Sequence, residues 1–302
     1  MDFCKEFDYK DMLKALDELS LYSDAVRISY IGNSIMSRPI PLITLGDKGT
    51  QKSVLYVSTH HAAENVCTSA ILAFIEEYSE AYKKGGKVFG IDINSLYKMR
   101  KIFIIPMLNP DGVEYRLNGI GEDNPIKDRV IAYNGGSNDF SEWNANARGV
   151  DLNHNYDAYF EEYKEVEKRE GISAGKSKYS GENPESEPEC ASLVNFIKYN
   201  DDIDGIITLH TQGEEIYYKS MGHEPQRSEH IAKIISRMTG YCLSEAQGTA
   251  SYGGLTDWFI KEFNKPSFTI ECGKGKNPLP SSQILNIYSS LREILFTFPI
   301  LF

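Results

Sequence analysis

The stretch Ser58-Thr59-His60-His61-Ala62-Ala63-Glu64 sits between two patterns of different period, and it constrains this chain more than any other segment. Before it, Val54-Leu55-Tyr56-Val57 is a short apolar run that reads as a buried strand. After it, Asn65 to Tyr82 carries apolar residues at Val66, Ala70, Leu72, Ala73 and Phe74 and reads as a helix. A strand end that releases a His and a Glu three residues apart at a helix start is a place to hold a metal. Imidazole nitrogen and carboxylate oxygen suit Zn²⁺, and a catalytic zinc takes three protein ligands and keeps one position open. The spacing selects His61 as the partner of Glu64. His60 would point to the other side of an extended segment. A third ligand is offered by Ile206-Ile207-Thr208-Leu209-His210, another His at the end of an apolar run.

Along the rest of the chain, strand and helix patterns alternate. Asp8 to Leu21 reads as an amphipathic helix. Arg27 to Tyr30 and Arg38 to Leu45 read as an antiparallel pair at a sheet edge. Gly85-Gly86 ends the helix that follows the histidines, and Ile91 to Leu96 reads as a short helix. Lys101 to Pro106 is another strand and runs into Asn109-Pro110-Asp111-Gly112, a turn signal. Residues 113–156 and 171–184 are polar and Gly/Asn-rich, and loops of that length are usually functional or disordered. Ser186-Glu187-Pro188-Glu189 reads as a capped helix start, with the helix running to about Tyr199. Gly205 to Leu209 and Ser267 to Glu271 read as strands, and 228–239, 255–263 and 281–296 as helices.

This alternation predicts an α/β fold with helices on both faces of the sheet. We find no internal repeat and no linker, so residues 1–302 are read as a single domain. Ligands of such sheets bind outside the carboxyl ends of the strands. His61, Glu64, His210 and Glu271 all fall at such ends, which groups residues far apart in sequence.

The formal charge of −11 with dispersed Lys and Arg argues against a nucleic-acid partner. No stretch reaches the ~20 apolar residues of a membrane helix. The first residues, Met1 to Glu6, lack the pattern of a secretory signal. Five cysteines, widely spaced and in no CxxC pair, suit reduced thiols in a cytoplasm and argue against a thiolate zinc site.

Six blocks in this order resemble the zinc metallopeptidases of the carboxypeptidase A type: His61-Ala62-Ala63-Glu64, Asn109-Pro110-Asp111-Gly112, Asn146 to Asn153, Ser186-Glu187-Pro188-Glu189, Leu209 to Glu215, and Phe268-Thr269-Ile270-Glu271. Within that group the chain is similar to the γ-D-glutamyl-meso-diaminopimelate peptidase I branch, over about Tyr30 to Tyr288. The resemblance implies a mixed, twisted eight-stranded sheet flanked by helices. It implies one zinc ion held by His61, Glu64 and His210, with Glu271 as the catalytic carboxylate. It implies a peptide substrate, a muropeptide in the named branch, cut at the bond between γ-D-Glu and the diamino acid. Asp151 is read as a carboxylate that either stands behind the ligands or serves the fold alone, with the structural reading preferred.

The departures from that family matter. Where relatives place an oxyanion-stabilising arginine after a Trp, this chain has Trp143-Asn144, and Arg148 is the candidate replacement. The Asn-Arg pair that grips a C-terminal carboxylate is Asn153-His154 here. The arginine of the first block is Ala63, and Tyr252 is the candidate for the tyrosine that closes over substrate. Two other readings remain open: a general zinc carboxypeptidase, and a non-catalytic binder of wall peptides.

Overall fold

In the computed structural model, residues 2–246, 248 and 252–302 are described. Helix α1 (Tyr9–Tyr22) starts at Asp8, whose carboxylate accepts the Asp11 amide. The edge pair β1 (Val26–Asn33) and β2 (Pro39–Leu45) is antiparallel, as the alternation predicts. Next come β3 (Ser53–Ser58) and α2 (Val66–Lys84), which ends at Gly85 in the left-handed conformation that glycine adopts without strain. A small ribbon, β4 (Lys87–Val88) and β5 (Ile91–Asp92), leads to α3 (Ile93–Met99). The short helix expected over Ile91 to Leu96 therefore starts two residues late, because Asp92 caps it through the Ser95 amide. Then follow β6 (Lys101–Ile105), α4 (Pro110–Asn118), α5 (Lys127–Tyr133), α6 (Phe160–Glu170), α7 (Pro188–Tyr199), β7 (Ile203–His210), β8 (Glu215–Tyr217), α8 (Ser228–Thr239), β9 (Cys242–Leu243), α9 (Leu255–Phe263), β10 (Ser267–Glu271) and α10 (Ile284–Thr297).

The strands form one eight-stranded mixed sheet in the order β1-β2-β6-β3-β7-β10-β8-β9. Its centre, β6-β3-β7-β10, is parallel, and antiparallel pairs join β2 to β6 and β8 to β10. Strands buried on both faces need apolar side chains in both directions. β3 supplies them: Val54 and Tyr56 pack into the layer formed by α1, α2, α8 and α10, while Leu55 and Val57 pack against α7 and α9. The expected helix-covered α/β sheet is thus observed.

Three local expectations are corrected. Asn109 to Gly112 is the first turn of α4: Asn109 caps it by accepting the Gly112 amide at 3.0 Å, and Pro110 takes the first position, where no N–H is needed. The turn signal and the helix-start signal share these residues, and burial of Val113 and Tyr115 decides between them. The cap of α7 is Glu187 rather than Ser186, whose hydroxyl instead bonds the Glu187 carboxylate. The polar stretch 113–156 holds α5 and most of α4, and α6 follows it.

Candidate metal centre

Parallel register assembles the site. β3 and β7 pair through Ser58 and Leu209, and β7 and β10 pair through His210 and Glu271. The residues just past β3 therefore emerge beside His210, with Glu271 on the neighbouring strand. A 3-10 turn over Ala62–Glu64 folds Glu64 back onto His61. Asn109 ties this loop down: its side-chain amide donates to the carbonyls of His60, Asn144 and Ala145. Asn144, which stands where an arginine was looked for, accepts the Ala62 amide through its backbone and the Ala63 amide through its side chain.

The two histidines and Glu64 converge. His61 Nδ1 lies 3.1 Å from Glu64 Oε1, and His210 Nδ1 lies 2.9 Å from Glu64 Oε2. The two Nδ1 atoms are 3.3 Å apart, and all three donor atoms lie within 4.8 Å of one another. The far nitrogens are engaged elsewhere: His61 Nε2 with Asp151 Oδ1 at 2.9 Å, and His210 Nε2 with Thr208 Oγ1 at 3.0 Å. With the proton of each imidazole on Nε2, both Nδ1 atoms turn a lone pair toward the Glu64 carboxylate side of the cluster. Such partners orient and tune metal-binding imidazoles. Two neutral nitrogens and one carboxylate oxygen, with outer partners already in place, are a donor set that fits Zn²⁺.

Electrostatics favour a bound cation: burial opposes a charge on His61, but Glu64 and Asp151 outweigh it and hold the imidazolium well above the usual histidine range, so a metal entering here displaces a proton. Burial pushes the Glu64 carboxyl up, but His61 and His210 outweigh it and hold it down to about 2, so the ligand is ionised. Burial likewise opposes ionisation of Asp151, yet His61, His154 and the Lys178 amide hold it far below the usual range. His60 points away, as expected. Its Nε2 meets the Tyr156 hydroxyl at 2.9 Å, and burial keeps the ring neutral.

A cavity opens beside this cluster. Its lining includes His61, Asp151, Asn153, His154, Tyr217, Lys219, Asp257 and Glu271. Glu271 is half-buried, and burial together with the Glu64 charge raises its carboxyl well above the ordinary value. Asn153 Oδ1 accepts the Leu255 amide at the start of α9. His154 stacks on Tyr163 and donates from Nδ1 to the Tyr252 carbonyl at 2.7 Å. Burial lowers its pKa despite nearby Asp151, so it is no cation at neutral pH.

Two other candidates are not brought to this cavity. Arg148 is half-exposed, with its guanidinium 3.8 Å from Glu187. The Tyr252 ring packs near Tyr163, and its backbone, not its hydroxyl, serves His154. Four participants were missed or undervalued in the sequence. Asp151, read by preference as structural, holds the His61 imidazole. Thr208 had a signal, since two residues before a strand-end His its side chain shares that histidine's face. Lys219 and Asp257 carried none, because only tertiary packing puts them beside Glu271.

Comparison with known proteins agrees with this geometry. A zinc carboxypeptidase family model matches residues 12–293. The γ-D-glutamyl-L-diamino acid endopeptidase 1 of Lysinibacillus sphaericus is 33% identical over 94% of this chain and 70% of its own length. Among solved structures, bovine thrombin-activatable fibrinolysis inhibitor superposes with a TM-score of 0.74 at 20% identity, covering 99% of this chain and 97% of that one. The murein-tripeptide amidase MpaA of Escherichia coli O157 superposes with a TM-score of 0.53 at 18% identity, over 87% and 90% of the two chains. At those identities the solved structures speak for the fold alone, and the family match carries the rest: this chain belongs to the zinc carboxypeptidase family.

Proposed function

We propose that this zinc peptidase hydrolyses the amide between γ-D-glutamate and a diamino acid in cell-wall peptides. The observation that carries the reading is the neutral His154 beside Asn153 in the cavity wall. Where the resemblance implies an arginine for a terminal carboxylate, this wall has an imidazole held neutral by burial, and the cation in the lining, Lys219, comes instead from the segment after β8. The relative from Lysinibacillus sphaericus, named for this bond, supports the same reading.

His61, Glu64 and His210 would hold the zinc. When bound, it supplies Lewis-acid chemistry, polarising a carbonyl and acidifying water. Glu271 accepts the proton of the attacking water and returns it to the leaving amine; its raised proton affinity suits both halves of that transfer. Asp151 and Thr208 keep the imidazoles in the ligating tautomer. Asn153 and His154 orient the peptide, with His154 presenting its free Nε2 as a neutral hydrogen-bonding group. Arg148 and Tyr252 could contact only parts of a substrate that reach beyond the cavity.

We read residues 1–302 as one catalytic unit that works on muropeptides in a reducing cytoplasm. Five free thiols support that compartment, two of them exposed. Among the described residues no helix is long and apolar enough to cross a membrane.

The test is a direct comparison of substrates. The zinc-loaded protein should cleave L-Ala-γ-D-Glu-meso-diaminopimelate with release of the diamino acid and leave hippuryl amino acids nearly untouched. Efficient turnover of the hippuryl substrates alone would replace this reading with a general carboxypeptidase.

A further inference from the structure

The cavity beside Glu271 holds two opposite charges that the hydrolysis itself does not use. One is the ammonium of Lys219, two residues past the end of β8. The other is the carboxyl of Asp257, in the first turn of α9. They are not paired with each other. Lys219 reaches Glu245 at 3.5 Å and Glu224 at 3.7 Å, and its ammonium lies 5.2 Å from the centre of the Tyr218 ring. Glu245 is largely exposed, which makes its pull on the ammonium weak. Asp257 has no ion-pair partner among the described residues. It lies so close to Gly254 that a Cβ there would sit 2.9 Å from its Oδ2, so the glycine is what lets the carboxyl stand at the cavity wall. Burial outweighs the Ser220 hydroxyl and the amides of Gly254 and Asp257, and with no cation beside them it pushes the pKa up to about 7. A half-buried carboxyl without a cation, facing a substrate cavity, is a receptor for an ammonium group.

We propose that Lys219 and Asp257 determine specificity by reading the residue released from the scissile bond, and that they select a diamino acid whose side chain ends in a carbon bearing both an ammonium and a carboxylate. Lys219 receives the distal carboxylate and Asp257 the distal ammonium. The cavity thereby discriminates against lysine, which brings the ammonium but leaves Lys219 facing nothing. It equally discriminates against a side chain bearing the carboxylate alone, which leaves Asp257 uncompensated. Unpaired groups in such a site are the strongest source of discrimination. The inference rests on the proposed function, since it assumes that the diamino acid is the residue that enters this cavity.

The experiment compares L-Ala-γ-D-Glu-X peptides in which X is meso-diaminopimelate, L-lysine or L-2-aminopimelate. The probes are the wild-type zinc protein, Lys219→Met, Lys219→Arg and Asp257→Asn, and kcat/KM is the readout. The wild type should favour diaminopimelate over each single-charge residue by roughly ten- to a hundredfold, the range of one charge-assisted hydrogen bond. Lys219→Met should collapse the diaminopimelate-to-lysine ratio toward one, and Lys219→Arg should keep most of it. Asp257→Asn should collapse the diaminopimelate-to-aminopimelate ratio. Because Asp257 also sits in a helix first turn and its variant can misfold, the Lys219 pair decides the matter alone. A ratio unchanged in Lys219→Met, or an equal fall for all three peptides, overturns the inference. If no γ-D-glutamyl peptide is cleaved at all, the proposed function is what has failed. Calorimetric binding of free meso-diaminopimelate and of lysine then decides the inference: tighter binding of the former, lost in Lys219→Met, supports it, and equal affinities overturn it.

Discussion

Replacing Asp151 by Asn tests whether the metal site depends on a group that touches no metal. Asp151 Oδ1 faces His61 Nε2 at 2.9 Å and the Asn153 amide at 3.2 Å, while Oδ2 accepts the Lys178 amide at 2.9 Å. Both oxygens are therefore acceptors, and a carboxamide has only one. If the Asn oxygen faces Lys178, its NH₂ opposes His61 Nε2 and drives the ring proton to Nδ1, the atom needed by the metal. If the oxygen faces His61, two donors meet at Lys178. Either way the ligating tautomer of His61 is penalised. Loss of such an outer partner typically costs 10- to 100-fold in metal affinity, or ~1.4–2.7 kcal/mol. Zinc affinity measured by competition with a chromophoric chelator should fall by about that factor in Asp151→Asn, while the metal-free protein keeps its circular dichroism spectrum. Affinity within twofold of wild type would refute the reasoning, because His61 would then be oriented by something other than this carboxylate.

Glu271→Gln should lower kcat by at least ~10²–10⁴-fold with zinc stoichiometry unchanged, since it removes the proton carrier and not a ligand; substantial residual turnover would assign that role elsewhere. Glu189 is buried beside Asp111 and Glu187, and burial with those charges raises its pKa to about 8. A raised acid contributes stability that is complete below its unfolded value near 4.5 and lost as pH climbs through 8. Glu189→Gln should accordingly gain melting temperature on wild type steadily from pH 5 to pH 8, and parallel curves would contradict this. Gly253 has φ of +70°, and a Cβ there would lie 2.6 Å from the His154 carbonyl oxygen. Gly253→Ala should cost ~1–3 kcal/mol in urea unfolding and raise KM by displacing His154, so an unchanged midpoint and KM would rule out that packing.

Elements with a strong period were legible without coordinates. Helices α8 and α9 and strand β10 match their expected spans, because each buries a continuous apolar stripe that its own residues announce. Elements held by few residues were not: β8 and β9 pair over two or three positions, and α6 is a mostly charged helix whose buried positions are few. At the site, the His-to-Glu spacing and the strand-end positions pointed to His61, Glu64, His210 and Glu271; the first three converge, and Glu271 lines the same cavity as His61. Arg148 and Tyr252 were placed by analogy of position along loops, and loop residues have no periodicity to say which way they face. Asp151 showed the reverse, since its spacing carried no hint that it would reach His61, 90 positions away.

The order of apolar runs and the chemistry at their ends determined by themselves that this chain builds a helix-covered sheet with a metal site at its strand ends. Those features are local, and each follows from residues adjacent in the chain. The tertiary structure alone decided which nitrogen of each imidazole faces Glu64, which loop cations stay outside the cavity, and that Lys219 and Asp257 face it together. Those outcomes depend on contacts between segments tens to hundreds of residues apart, which strand register and side-chain packing create and no short pattern can encode.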